Sequence, residues 1–169
     1  MRLVVLVPTV AERDAVLDAF GPARLARMLP WAGTRVGESG AGTLVVVPVG
    51  EGVAAAAAAA GVAANRLQPD ALISARVDAA AGEAPLLGGD EQLRALVLDR
   101  LPVTGLPAAP ASDVDGPLAE GVTTAAALHG VASAHLVAVD LPALALVAAA
   151  SFGTPWPPVG KRPPALPPV

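Results

Sequence analysis

The chain has 169 residues, 54% of them hydrophobic and 15% charged, which suits one domain with a real core and argues against disorder over most of its length. Its net charge of −4 argues against non-specific binding of nucleic acid, which requires clusters of Lys and Arg. With no Cys and two His, the composition excludes disulfides and thiolate metal sites, and we predict neither a metal centre nor a cofactor.

The apolar stretches of this chain do not read as targeting or membrane segments. Met1–Leu3 leads straight into an apolar run, without the order of regions that is typical of a signal peptide. The most apolar stretch, Val131–Phe152, is interrupted by His135, Asp140 and Pro142. We therefore predict a cytoplasmic protein that does not cross a membrane.

The first elements are predicted from an apolar run and a capping pattern. Leu3–Pro8 is continuously apolar, which is typical of a strand covered on both faces. Thr9 and Glu12 follow at the spacing of a capping box, which predicts a helix with Thr9 as its N-cap. Gly21-Pro22 is expected to end that helix, and the glycines of Gly33–Gly42 indicate a loop or a hairpin.

A βαβ unit is predicted next. Thr43–Pro48 is a second apolar run, and the alanine-rich segment Val53–Leu67 is a strong helix former that ends before Pro69. Ala71–Ala75 then predicts a third strand. A strand, a glycine turn, a helix and a strand in this order favour parallel pairing with a right-handed crossover.

The pattern weakens between Arg76 and Gly121. Leu93–Leu98 is either a strand or part of a short helix, and Pro102–Pro117 is rich in the residues of loops. Leu136–Val139 predicts another core strand, which is followed by a helix from about Pro142, since proline is tolerated in the first turn.

The end of the chain differs in composition from the rest. Gly153–Val169 contains seven prolines, which cannot continue a helix or fill a central strand, so we expect it to be extended or disordered. The domain organisation is therefore predicted as one α/β domain over residues 1–153 and a proline-rich tail over residues 154–169.

A set of short motifs lies in order along residues 1–155. These are Pro8–Asp14 after the first strand, Gly50-Glu51-Gly52 before the alanine-rich helix, Gln68–Ala75, Gly88-Gly89-Asp90, Val137–Leu141 and Phe152–Pro155. The ordered set resembles the purine nucleoside phosphorylase and nucleosidase superfamily, nearest the branch of futalosine hydrolase and methylthioadenosine nucleosidase. The resemblance implies a three-layer α/β/α sandwich around a mostly parallel, mixed sheet, a homo-oligomer, and cleavage of the N-glycosidic bond of a purine nucleoside.

The chain also departs from the pattern of that family. Pro142 stands where the family has a Glu that grips the ribose hydroxyls, next to the acid that Asp140 matches. Arg76 and Asp78 replace a glycine-rich turn whose backbone approaches the ligand. The family's catalytic Asp, which protonates the departing purine, would fall in Pro157–Lys161, where there is no acid. These departures, with a shortened middle region, indicate a diverged member whose active site is degenerate.

Two acids are the candidate catalytic residues. Glycosidic cleavage needs a base that aims water, a proton donor for the purine and contacts to the sugar hydroxyls. Glu12 is the candidate base, but the capping box by itself explains a Glu at that spacing. Asp140 is the candidate acceptor for sugar or base, and its alternative is the N-cap of the following helix.

Four further residues are candidates for ligand binding. Gly50 and Gly52 open a helix N-terminus, which is a natural anion site, although Glu51 there would repel phosphate and a plain tight turn is the alternative. Ser74 and Asp78 lie at the end of the third predicted strand. The two histidines, His129 and His135, are interpreted as a helix-end and a core residue.

Three functions remain open on the sequence. The first is a degenerate nucleosidase-like protein that binds a purine-nucleoside-like ligand. The second is an active hydrolase or phosphorylase of purine nucleosides that uses Glu12. The third is an interaction protein that binds partners through its proline-rich tail, in which Lys161 precedes a PxxP pattern.

Overall fold

The computed structural model describes residues 2–18, 23–25, 31–39, 42–82, 84–95, 109–110 and 114–151. The strands are β1 (Arg2–Val7), β2 (Ala23–Leu25), β3 (Arg35–Ser39), β4 (Gly42–Pro48), β5 (Ala71–Val77), β6 (Leu86–Gly89), β7 (Ala109–Pro110) and β8 (Ala132–Ala138). The helices are α1 (Val10–Asp18), α2 (Val53–Leu67), α3 (described over residues 91–95), α4 (Pro117–His129) and α5 (Leu141–Ser151), with a 3₁₀ helix at Ala79–Ala81.

All eight strands form one mixed sheet in the order β2-β3-β4-β1-β5-β8-β6-β7. The four central strands, β4, β1, β5 and β8, are parallel, whereas β3 and β6 run antiparallel to their neighbours β4 and β8. The register places Val7 beside Pro48 and Val77 beside Ala138. The ends of the four parallel strands therefore meet at one side of the sheet, which we call the carboxyl edge.

Helices cover both faces of the sheet because the central strands are apolar on both sides. In β1, Leu3, Val5 and Val7 face the layer of α1 and α5, whereas Val4 and Leu6 face the layer of α2 and α4. All five side chains are at most 4% exposed. The predicted three-layer α/β/α sandwich around a mostly parallel, mixed sheet is thus confirmed.

The alanine-rich helix α2 packs unusually closely on α4. Its buried alanines, Ala56, Ala59, Ala60, Ala63 and Ala64, face the sheet and α4 with very small side chains. At the contact, a Cβ added to Gly121 would lie 2.6 Å from the carbonyl oxygen of Val53 and 2.8 Å from the amide nitrogen of Ala57. Glycine at this position therefore allows the two helix backbones to approach each other.

Most of the elements predicted from the sequence are confirmed. The helix after Thr9 begins at Val10, and α2 has the predicted bounds. The glycine-rich segment before β4 is a hairpin, in which Ser39 pairs with Gly42. The last core strand is longer than predicted, since β8 begins at Ala132. The expected helix end at Gly21-Pro22 lies outside the described residues.

The short strands β2 and β7 were not predicted, and Ala109–Pro110 of β7 lies within the predicted loop Pro102–Pro117. Two larger elements, α4 and β6, were also missed. Pro117, which was placed at the end of a loop, is the first residue of α4, whose N-cap is Gly116. Leu86–Gly89 forms β6, although its two glycines are unfavourable in a strand. Both were missed because their stability comes from packing against α2 and β8, which local propensity does not report.

Several predictions concern residues that are described only in part. Of Leu93–Leu98, the residues up to 95 are helical, and the carboxylate of Asp90 caps this helix by accepting hydrogen bonds from the amides of Gln92 at 3.0 Å and Leu93 at 3.1 Å. Most of the loop predicted over Pro102–Pro117, and the whole tail over residues 154–169, lie outside the described residues. Among the helices in the described ranges, none is both long and apolar enough to span a membrane.

Candidate active site

Hydrogen bonds between loops join the strand ends at the carboxyl edge. The amide of Val49 donates to the carbonyl oxygen of Val7 at 2.8 Å, and the amide of Gly50 donates to that of Pro8 at 3.1 Å. On the other side, the amide of Asp78 donates to the carbonyl oxygen of Ala138 at 2.8 Å. The loops after β4 and β1, and those after β5 and β8, are therefore fixed to each other in pairs.

Glu12 connects the two pairs of loops. Although it lies in the first turn of α1, its Oε2 accepts a hydrogen bond from the amide of Val77, at the end of β5, at 3.2 Å. Its Oε1 accepts one from the hydroxyl of Thr9 at 2.9 Å. The structure thus joins Glu12 to the residue that precedes Asp78, and Glu51 lies near enough for its charge to act on Glu12.

The carboxyl group of Glu12 is buried, since the residue is 8% exposed. Burial raises the pKa of Glu12 above its ordinary value, and the negative charge of Glu51 acts in the same direction. The hydrogen bonds from Thr9 and Val77, and the positive charge of Arg76, oppose this rise because they favour the ionised form. A carboxyl group with a raised pKa and fixed hydrogen-bond donors is a plausible acid–base group.

The capping interpretation of Glu12 explains only part of this geometry. The hydroxyl of Thr9 accepts a hydrogen bond from the amide of Glu12 at 3.4 Å, which is long for a cap. The carboxylate of Glu12 makes a contact to β5 that capping of α1 does not require. The spacing of Thr9 and Glu12 therefore starts the helix, and the Glu12 side chain makes a further contact to the end of β5.

Asp78 is held in place by its own loop. Its Oδ1 accepts a hydrogen bond from the amide of Ala80 at 2.9 Å, and its Oδ2 lies 3.3 Å from a guanidinium nitrogen of Arg76. The amide of Ala80 is the main cause that lowers the pKa of Asp78, and Arg76 adds to it. Arg76 also donates to the carbonyl oxygen of Asp115 at 3.1 Å, so it ties this loop to the start of α4.

Gly50 and Gly52 lie at the exposed start of α2. Gly50 has φ +78°, a conformation that L side chains rarely adopt, and a Cβ on either glycine would meet nothing within 4 Å. Gly52 is the N-cap of α2 and provides no side-chain cap. Open space at both glycines is compatible with a ligand here, but the exposed residue Glu51 lies between them.

Asp140 is the N-cap of α5. Its Oδ1 accepts a hydrogen bond from the amide of Ala143 at 2.9 Å, and its carbonyl oxygen accepts one from the amide of Leu144 at 3.0 Å. The residue is exposed at the carboxyl edge, and so is Pro142. The capping alternative for Asp140 is thus realised in the structure, and one of its oxygens is already engaged.

Substitution of Asp140 separates capping from ligand binding. We expect Asp140→Ala to lower the free energy of unfolding by about 1 kcal/mol, whereas Asp140→Asn, which can still cap, changes it by only a few tenths. Urea denaturation of both variants measures this. If Asp140 were a ligand acceptor instead, both variants would lose affinity for a purine nucleoside to a similar degree.

Ser74 does not face the carboxyl edge. Ser74 is 4% exposed, and its hydroxyl lies 2.7 Å from Nδ1 of His135. The other ring nitrogen of His135, Nε2, lies 2.9 Å from the hydroxyl of Thr123 on α4. Burial lowers the pKa of His135 to about 4. The three side chains form a polar network between the sheet and α4, in which Ser74 and His135 are buried and Thr123 is exposed, and the core interpretation of His135 agrees with this position.

The neutral state of His135 predicts a dependence of stability on pH. Between pH 6.5 and about 4 the unfolded chain binds a proton at this residue that the folded chain does not, so stability falls as the pH falls. We expect a loss of roughly 3 kcal/mol over this window relative to a His135→Asn variant. Urea denaturation at several pH values measures it.

Some contacts of the candidate residues could not be read from the sequence. Thr9 was recognised as an N-cap but not as a donor to the carboxylate of Glu12. The network of Ser74, His135 and Thr123 joins β5, β8 and α4, and no spacing rule relates residues as far apart in the chain as Ser74 and His135. Within the described ranges, no group of three or more His, Asp or Glu side chains is arranged to hold a metal ion.

Comparison with known proteins places the fold. No family model matches the chain, and no curated protein matches its sequence. Solved structures do match. One is a 5'-methylthioadenosine/S-adenosylhomocysteine nucleosidase from Colwellia psychrerythraea 34H in complex with adenine, with a TM-score of 0.70 and 11% identity over 90% of this chain and 95% of that chain.

Two further structures point the same way. A putative methylthioadenosine nucleosidase from Weissella paramesenteroides has a TM-score of 0.67 and 15% identity over 90% of this chain and 98% of that chain. A futalosine hydrolase mutant from Helicobacter pylori has a TM-score of 0.65 and 11% identity over 90% and 96%. Because the identities are low, the likeness establishes the fold. The chain therefore shares the fold of these nucleosidases and of this futalosine hydrolase, which is the fold that the resemblance of the ordered motifs implied.

Proposed function

We propose that this protein binds a purine-nucleoside-like ligand at the carboxyl edge and that its active site is degenerate. The observation that carries the proposal is the engagement of the candidate polar groups in structural hydrogen bonds. Asp140 caps α5, Ser74 is buried against His135, and Asp78 is bound by Ala80 and Arg76. Glu12 is the candidate that combines burial, a raised pKa and a position at the edge.

The chemistry of glycosidic cleavage supports this proposal. The reaction develops a ribosyl cation, so it needs a proton donor for the leaving purine and acceptors for the sugar hydroxyls as well as a water-directing base. Pro142, which follows Asp140 in α5, has no ionisable or hydrogen-bonding side chain. An edge that retains Glu12 without these partners is better suited to binding than to cleavage.

The assay for this proposal combines binding and turnover. The purified chain is incubated with futalosine, methylthioadenosine and inosine, each with and without phosphate, and free base is measured by chromatography. Binding is measured by calorimetry on the same samples. We expect binding of at least one nucleoside and no base release above a blank without protein. Base release at an enzymatic rate that tracks with the protein through purification would contradict the degenerate site.

A second candidate is an active N-glycosidic hydrolase, which one observation favours. Both oxygens of the Glu12 carboxylate accept hydrogen bonds from fixed donors, and its pKa is raised, as suits a base that directs water. In this case Asp78 or Asp140 would act in substitute roles. Turnover that is lost in Glu12→Gln would support this candidate over the first.

The remaining predictions on partners stay open to experiment. We propose a homo-oligomer on the strength of the resemblance, and sedimentation of the purified chain tests it. Binding of partners through the proline-rich tail concerns residues outside those described, and a pull-down that does not change when residues 154–169 are deleted would count against it.

A further inference from the structure

We infer that Thr9 is a positioning residue for Glu12, because its hydroxyl lies 2.9 Å from Glu12 Oε1 while the amide of Val77 holds Oε2 at 3.2 Å. The inference rests on the proposed site, since it explains how the Glu12 carboxyl group at the carboxyl edge is oriented. It gives Thr9 a second task beside that of helix cap.

The geometry shows which of the two tasks of Thr9 is the stronger. A hydroxyl has one proton to donate and two lone pairs, whereas an ionised carboxylate can only accept. The Thr9 proton is therefore directed at Glu12 Oε1, and a hydrogen bond to a charged group is stronger than one between neutral groups. The cap contact from the Glu12 amide to the same hydroxyl is 3.4 Å long. The hydrogen bond from the Thr9 hydroxyl to the Glu12 carboxylate is accordingly the shorter of these two contacts.

The two donors act on Glu12 together. A free glutamate rotates about three side-chain bonds, but donors on both carboxylate oxygens fix its plane between α1 and β5. Each oxygen keeps a further lone pair, so the positioned group still has acceptor capacity for a ligand hydroxyl or a water molecule. Thr9 itself is exposed, whereas Glu12 is 8% exposed.

The hydroxyl also influences protonation. Burial favours the neutral form of Glu12, and the donors from Thr9 and Val77 favour the ionised form. Removal of the Thr9 hydroxyl should therefore let burial dominate further and move the titration midpoint of Glu12 to higher pH. A side chain that only capped α1 would change stability without moving this midpoint.

The test follows the titration of Glu12 by carbon NMR of its labelled carboxyl group in the full chain. Thr9→Val removes the hydroxyl at nearly constant shape, and Thr9→Ser restores it. The matched control is Thr124→Val, which removes a hydroxyl that donates to the Glu120 carbonyl on the exposed side of α4. We expect an upward shift of the Glu12 midpoint in Thr9→Val, and a midpoint close to that of the parent chain in Thr9→Ser and Thr124→Val.

Two results would overturn the inference: an unchanged midpoint in Thr9→Val, or an equal shift in Thr9→Ser. Thr9→Ala provides the same reading if the valine variant folds poorly. Because this titration needs no ligand, a failure of nucleoside binding would count against the proposed function and leave the result on Thr9 intact. Conversely, if the chain binds a nucleoside but the Glu12 titration midpoint is unchanged in Thr9→Val, the proposed function stands and the positioning role of Thr9 does not.

Discussion

Replacement of Glu12 by Gln is expected to leave the fold stable and to weaken nucleoside binding about tenfold or more, since a hydrogen bond to a charged group is worth roughly 1.5–3 kcal/mol. The amide of Gln can still accept from Val77 and donate to the hydroxyl of Thr9, which has free lone pairs. Burial raises the pKa of Glu12 above its ordinary value of 4.5. The parent chain should therefore lose stability as the pH rises from that ordinary value to the raised pKa of the folded chain, and the Gln variant should not. Calorimetric binding and urea denaturation at two pH values measure both effects.

Two variants control this experiment. Glu51→Gln removes the same charge from an exposed position at the same edge, and it should leave binding within a factor of about three. Glu12→Leu removes the acceptor for two donors and should cost about 1–3 kcal/mol of stability. If Glu12→Gln binds nucleosides as tightly as the parent chain, Glu12 is only an anchor between α1 and β5.

Replacement of Gly121 by Ala is expected to destabilise the fold by roughly 2 kcal/mol. The added Cβ would lie 2.6 Å from the carbonyl oxygen of Val53 and 2.7 Å from Cβ of Ala56, so α2 and α4 would have to separate. Overpacking of this kind costs about 1–3 kcal/mol, and contacts this short with backbone atoms favour the upper end of that range. The better helix propensity of Ala returns only about 0.5–1 kcal/mol. The midpoint of thermal unfolding should fall by about 4–8 °C.

A second helical glycine provides the matched control. A Cβ on Gly61 of α2 would lie 3.7 Å from Nε2 of His129, an ordinary contact, and Gly61 has no positive φ. Gly61→Ala should therefore raise stability by about 0.5–1 kcal/mol through helix propensity alone. Equal stability of the two alanine variants would show that α2 and α4 do not approach each other at Gly121 as closely as the structure indicates.

The parts of the fold that were predictable have strong local signals. The apolar run of β1 specifies a strand buried on both faces, and α2 has alanine, the best helix former, over most of its length. Thr9 and Glu12 mark the start of α1 through their spacing. These signals act over three to fifteen residues, so they survive without any knowledge of the partners of each element.

The elements that were missed depend on partners distant in the chain. In α4, Gly121 lowers the helix propensity, but it allows the close approach to α2 that buries the helix. In β6, Gly89 has φ +97°, and a Cβ there would lie 2.5 Å from the carbonyl oxygen of Ser133. In both elements, a glycine that is unfavourable for local secondary structure is required by a close contact with a neighbouring element. Local propensity therefore predicted no helix at α4 and no strand at β6.

For the candidate site, the positions of the residues were predictable but the roles of their side chains were not. The sequence placed Glu12, Gly50, Asp78 and Asp140 after strands that turned out to be parallel, so their position at one edge could be expected. It could not decide what each side chain does there. Asp140 proved to be an N-cap, and Ser74 proved to face α4, since only the pairing of β5 with β8 brings Ser74 to His135.

By itself, the sequence determined the class of the fold, the main strands and helices in chain order and the acids that follow the strands. It could do so because hydrophobic runs, helix propensity and proline act locally. The tertiary structure decided the state of each acid. Glu12 is buried in the folded chain, and its carboxyl group accepts a hydrogen bond from an amide 65 residues away in the chain. Burial and hydrogen bonding of a side chain depend on such distant neighbours, so its chemistry could be assigned only once the strands were paired.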